Sequence, residues 1–158
     1  MPNTIDDLAN RQFRLTFLGG IALTPVVGLA IALLMYHPWA DYWSEDVPPL
    51  VKFGTDAFGL SLSLLGTSIL PALLTGWLRL APMRWLFKQT IPRPRGFVLA
   101  MAGTFLLFEA TVVAAALLGG WMTKTGFKPI WSICTGFSLP WLLAALWATQ
   151  RVLRRHAY

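Results

Sequence analysis

The chain has 158 residues, of which 56% are apolar and 13% charged, against the ~25% charged residues of an average soluble domain. Too few polar residues remain to cover a soluble core of this size, so the composition points to membrane spans. The single cysteine, Cys134, excludes an intrachain disulfide and any cysteine-based metal cluster, and the net charge of +6 finds its explanation in where the basic residues fall.

Four segments, roughly 16–36, 55–78, 97–120 and 130–150, each supply about the 20 apolar residues that a helix needs to cross the hydrocarbon. Helices are the open-chain solution there, because backbone groups in lipid must be satisfied within their own segment. The predicted fold is all-α: a polytopic membrane protein whose four transmembrane helices form one compact bundle over residues 1–158. No segment reads as a separate soluble domain.

In chain order, a short tail with Asp6, Asp7, Arg11 and Arg14 leads into the first span. This span is too long for a signal core, and no convincing small-x-small cleavage site follows it, so it is expected to stay in place. Gly20, Thr24, Gly28 and Ala32 repeat at i+4 spacing along it, and Pro25 lies inside it. The following loop carries Asp41, Glu45, Asp46 and Lys52, with Pro48 and Pro49 stiffening it. Span two offers Gly59, Ser63 and Gly66, then Ala72 and Gly76, and contains Pro71. A basic connection, RLAPMRWLFKQTIPRPR, holds Arg79, Arg84, Lys88, Arg93 and Arg95. Span three has Ala102, Ala116 and Gly120 each within about 20° of Glu109 on an ideal helix. After a short turn with Lys124 and Lys128, span four repeats Ser132, Gly136, Pro140, Ala144 and Ala148, and the tail ends with Arg151, Arg154, Arg155 and His156.

The two tails and the second connection carry ten of the thirteen basic residues. By the positive-inside rule both termini are cytoplasmic. Trp39, Trp43, Trp121 and Trp131 then mark the outer boundary and Trp77, Trp85 and Trp147 the inner one, where indole favours the headgroup level. Trp141 is expected deep, against another helix or the lipid tails. The basic face leaves nucleic acid without a case, since no nucleic-acid-binding motif accompanies it.

Small residues mark helix contacts in lipid, because burying leucine gains little there. Gly20, Gly28, Gly59, Gly66 and Gly136 are therefore candidate packing positions, in a compact bundle or in one that pairs with a copy or partner. Pro71 and Pro140, like Pro25, each leave a carbonyl four residues earlier without its usual partner. These prolines are repaired kinks, or else hinges and cation-facing carbonyls of the kind found in interrupted transporter helices. GTSILPALL (66–74) resembles TGFSLPWLL (135–143), which parallel hairpin repeats or biased composition would both explain.

Glu109 sits near the centre of span three. A charge there costs about 2.5–3.5 kcal/mol on insertion scales, so it must be offset or the proton kept. No lysine or arginine is expected at that depth, but Thr24, Thr67, Ser68 and Ser138 are. Together with Glu109 they form the candidate intramembrane polar site: a carboxyl facing a hydroxyl-lined interior near the carbonyls freed by Pro71 and Pro140. Three roles suit it: interhelical hydrogen bonding, docking to a partner subunit, or a proton or cation site.

Other chemistry is thin. His37 and His156 lie at opposite faces, no zinc, phosphate-loop or nucleophile-elbow motif occurs, and no inward histidine could hold haem. The expectation is therefore no enzyme, no cofactor and no metal. The leading functional reading is an accessory or assembly subunit, or a self-associating protein, acting through helix packing in the cell membrane of a bacterium, the inner one. The alternative is a small proton- or cation-coupled transporter using Glu109.

Overall fold

A computed structural model of the chain describes residues 5–35, 49–91 and 95–154. His37, Trp39, Asp41, Trp43, Glu45, Asp46, Pro48, Arg93, Arg155 and His156 lie outside the described residues. Among the described residues the fold is all-helical, with four helices: α1 Ile5–Met35, α2 Pro49–Thr90, α3 Gly96–Thr123 and α4 Phe127–Arg154. All four are long and apolar enough to cross a membrane.

α1 and α4 lie at the heart of the bundle, α2 packing on α1 and α3 on α4. The start of α1, the end of α2, the start of α3 and the end of α4 meet at one end, called here the terminal end. Leu8, Phe87, Ala100 and Val152, one from each helix, close a core there. Further along, Phe108, Val112, Trp141, Leu142 and Ala145 form a second core, on which Phe17 of α1 packs. The exposed Arg84–Asp6 ion pair at 3.0 Å bridges the ends of α2 and α1; pairs of this kind contribute about 0–1 kcal/mol.

The helices overrun the apolar segments that the sequence marks out. α2 has 42 residues, about 63 Å at 1.5 Å per residue, roughly twice the hydrocarbon thickness. The basic connection expected at 79–95 is thus helical as far as Thr90, through Pro82. Its cause is a stripe within the charged run. Met83, Leu86 and Phe87 share one side of the helix, and all three are buried in the terminal core. α1 is likewise helical from Ile5, well before the apolar run, and Leu8, Ala9 and Gln12 are buried there.

The buried residues of α3 are Gly96, Ala100, Thr104, Phe108, Val112, Ala116 and Gly120, each four apart. Such a line winds by about 40° per step around an ideal helix. The side of α3 that is covered therefore changes along its length. Near the terminal end Gly103 lies against Leu86 of α2, whereas near the other end Gly119 lies against Ile130 of α4. α3 leaves α2 as it runs outward, and a cleft opens between them. At the far end Lys124 takes a left-handed conformation (φ 56°) and Gly126 has φ 90°, closing the turn into α4.

The small-residue positions fall into two groups. Gly20 lies directly against the Trp141 ring and Gly28 against Ser61, so both sit at close helix crossings. Gly59, Gly66 and Gly136 meet nothing within 4 Å and face outward.

Candidate functional site

The cleft between α2 and the α3–α4 pair has a volume of about 370 Å³. α2 contributes Thr67, Ser68, Pro71 and Thr75 to it, α3 contributes Phe108, Thr111 and Ala115, and α4 contributes Cys134, Ser138 and Trp141. Three of the five polar residues singled out from sequence, Thr67, Ser68 and Ser138, are thereby brought together. Their hydroxyls are spent on their own helices: Thr67 donates to the Ser63 carbonyl at 2.7 Å and Ser138 to that of Thr135 at 3.0 Å. Thr24 is fully buried on α1 and donates to the Gly20 carbonyl at 2.7 Å. None of these three hydroxyls bonds a carbonyl freed by a proline. Pro71 lines the cleft, and Pro140 is buried.

Glu109 does not join them. It is half-buried and lines neither the cleft nor the two further spaces described below. At about 100° per residue, it lies on one flank of the Phe108–Val112 line and Thr111 on the other. Thr111 faces the cleft; Glu109 is flanked by the exposed Phe105, Leu106 and Val113. Ala102, which the sequence groups with it as inward, is exposed. Among the described residues no hydrogen bond or ion pair reaches the Glu109 carboxyl.

The charge inside the bundle is Arg79, which the sequence places in a loop. Its side chain turns back along α2: Nε donates to the Thr75 carbonyl at 3.0 Å and Nη2 to the Thr75 hydroxyl at 3.3 Å. That hydroxyl in turn donates to the Pro71 carbonyl at 2.8 Å. The guanidinium lies 4.2 Å from the centre of the Phe108 ring, a cation–π contact that crosses from α2 to α3. The side chain thus runs back along its own helix and lines the cleft.

Arg79 and Phe108 also wall a second, smaller space of about 20 Å³ toward the terminal end, beside Gln12, Thr16 and Thr104. It is wide enough for one water molecule. Around it Gln12 donates to the Thr149 hydroxyl at 3.4 Å, and Thr149 and Thr104 share a hydrogen bond at 3.2 Å. This buried polar cluster ties α1, α3 and α4 together, while the buried Thr16 hydroxyl has no partner among the described residues. The sequence reading missed the cluster. Its signal was there: Gln12, Thr104 and Thr149 are polar residues at positions where their helices turn inward. A third, apolar space of about 440 Å³ lies between α1 and α2, beside Pro25 and Ser61.

Trp141 is 3% exposed, packs against Phe17 with ring centres 5.8 Å apart, and lines the cleft. Among the described residues its enclosed indole N–H has no acceptor. The cleft is thus an apolar slot with a cation at one end. Compared with family models, curated proteins and solved structures, the chain matches none.

Proposed function

We propose that this chain is a multi-pass membrane protein, of the bacterial inner membrane, that acts as a packing subunit: it docks onto another transmembrane helix through the outer flank of α3. Four apolar helices support the membrane placement. Arg11, Arg14, Arg84, Lys88, Arg95, Arg151 and Arg154 belong to the helix ends that meet at the terminal end, whereas Lys124 and Lys128 lie at the other; this distribution supports cytoplasmic termini. Green fluorescent protein fused after residue 158 should then fluoresce, and alkaline phosphatase inserted at Thr125 should be active. The reverse pattern would overturn the orientation.

The observation that carries the docking reading is Glu109, a carboxyl without a partner among the described residues, set among exposed apolar side chains on one helix flank. Its cost in the bilayer falls when a neighbouring helix presents a hydroxyl, amide or basic group at the same depth. An interhelical bond of this sort contributes roughly 0.6–2 kcal/mol, or about 3- to 30-fold in association. Glu109→Leu should weaken association by that factor in mild detergent, measured by crosslinking and light scattering, while leaving the bundle's melting temperature unchanged. Glu109→Gln should retain most of the association when the partner group is a hydroxyl or amide, and lose it when the group is basic. A bundle that stays strictly monomeric and captures no membrane partner refutes the docking role.

Transport through Glu109 has less support, because the carboxyl lies on the flank away from the cleft. It requires that Glu109→Gln abolish proton or cation flux in reconstituted vesicles.

A further inference from the structure

We propose that the cleft between α2 and the α3–α4 pair binds a single-chain anionic amphiphile: a carboxylate or phosphate head seated on Arg79 and an acyl chain laid along the slot. The inference rests on the membrane placement proposed above and is independent of docking through Glu109.

The first ground is charge. Arg79 is largely withdrawn from the surface, and among the described residues no carboxylate pairs with it. Its bonds to Thr75 and its contact with Phe108 orient the guanidinium but do not neutralise it. A cation drawn into apolar surroundings is costly unless an anion meets it, and a guanidinium offers the paired donors that carboxylate and phosphate accept. Thr75 holds the side chain in the inward position, so the head site is formed before a ligand arrives.

The second ground is the shape and depth of the slot. From Arg79 to Thr67, α2 advances by about 18 Å, slightly more than one leaflet of a hydrocarbon core about 30 Å thick. Trp77 and Trp85, both exposed, flank Arg79 where indoles favour the headgroup boundary. The slot therefore starts at the depth of a lipid head and ends near the midplane, as one acyl chain does. Ala72, Val112 and Phe137 give it apolar walls. Its rim includes the exposed Thr67, Pro71, Ala115 and Ile133, so a chain enters sideways from the bilayer.

The head is left open between two sources, the phosphate of a lysolipid and the carboxylate of a free fatty acid. Both ligands share the anionic head and the chain, and the experiment tells them apart.

The test is native mass spectrometry of the full chain released from maltoside detergent after incubation with oleate, oleyl alcohol, lysophosphatidylglycerol or lysophosphatidylcholine. One molecule of oleate or of lysophosphatidylglycerol should be retained per bundle, and whichever is held more tightly identifies the source. Oleyl alcohol should be held at least about tenfold more weakly than oleate, since it brings no anion to the guanidinium, and lysophosphatidylcholine, whose choline offsets its own phosphate, more weakly than lysophosphatidylglycerol. Arg79→Gln should remove the preference for the charged ligands, and Arg79→Lys should keep part of it. Ala115→Trp, on the rim, should block the slot and reduce retention of every ligand while the fold persists; it carries the test should Arg79→Gln fail to fold. Equal retention of oleate and oleyl alcohol, no retention at all, or full retention in Ala115→Trp would each overturn the proposal. None of those results bears on the membrane placement, which the fusion experiment reads separately.

Discussion

Replacing Phe87 with alanine is expected to destabilise the bundle by about 3–5 kcal/mol, the range for truncating a fully buried aromatic side chain. Phe87 is 0% exposed and is surrounded by Leu8, Ala9, Met83, Ala100 and Val152 from all four helices. Its position decides the size of the effect. Between helices in lipid, separating them merely exchanges protein contacts for lipid contacts, and only packing is lost. At the terminal end α2 has run well past the thickness of the hydrocarbon. On the proposed membrane placement, water is therefore the reference there, and transfer and cavity terms both apply. Leu118→Ala, on the outward face of α3 at 62% exposure, should cost far less. Thermal unfolding of both variants in the same detergent checks the contrast. Equal, small shifts would mean that the terminal core contributes no more than a lipid-facing leucine.

This terminal core is also where the sequence was least legible. The four long apolar helices were readable because an uninterrupted apolar run of about 20 residues is longer than a soluble core helix needs. RLAPMRWLFKQT reads as a loop by its charges and its proline, although Met83, Leu86 and Phe87 keep a helical spacing through it. A proline removes one backbone bond, and here the packing of that stripe outweighs the loss. The direction of Arg79 was not readable at all. It depends on Thr75 one turn away and on Phe108 of another helix, and no local pattern announces a contact between α2 and α3. The inward assignment of Glu109 rests on Ala102, Ala116 and Gly120, seven and eleven residues away, a spacing suited to nearly parallel helices. In α3 the covered line instead advances by four, which turns Thr111 to the cleft and leaves Glu109 on the opposite flank. The hydroxyl-bearing positions Thr67, Ser68 and Ser138 did converge on one cleft, but Glu109 lies outside it and an arginine stands at its other end.

Gly20→Leu is expected to cost about 1–3 kcal/mol or more, as insertion of bulk into a closed contact does. Even a Cβ at Gly20 would strike the Trp141 ring. That ring cannot swing freely, being 3% exposed and set against Phe17. Gly20→Ala separates the two influences on helix stability. Alanine gains up to about 1 kcal/mol over glycine in a helix interior, so a net loss is a lower bound on the clash. The matched change at Gly136, which meets nothing within 4 Å, should be neutral or stabilising in the isolated bundle. Removing the obstacle tests the assignment directly: with Trp141→Leu in place, Gly20→Ala should recover much of its loss, leaving a coupling of about 0.5–3 kcal/mol between the two sites. Additive effects in that cycle would mean that α1 and α4 do not meet at this crossing. Because Trp141 also forms a wall of the cleft, a ring displaced by Gly20→Ala should alter amphiphile retention as well, which makes this crossing a mechanical support of the proposed site.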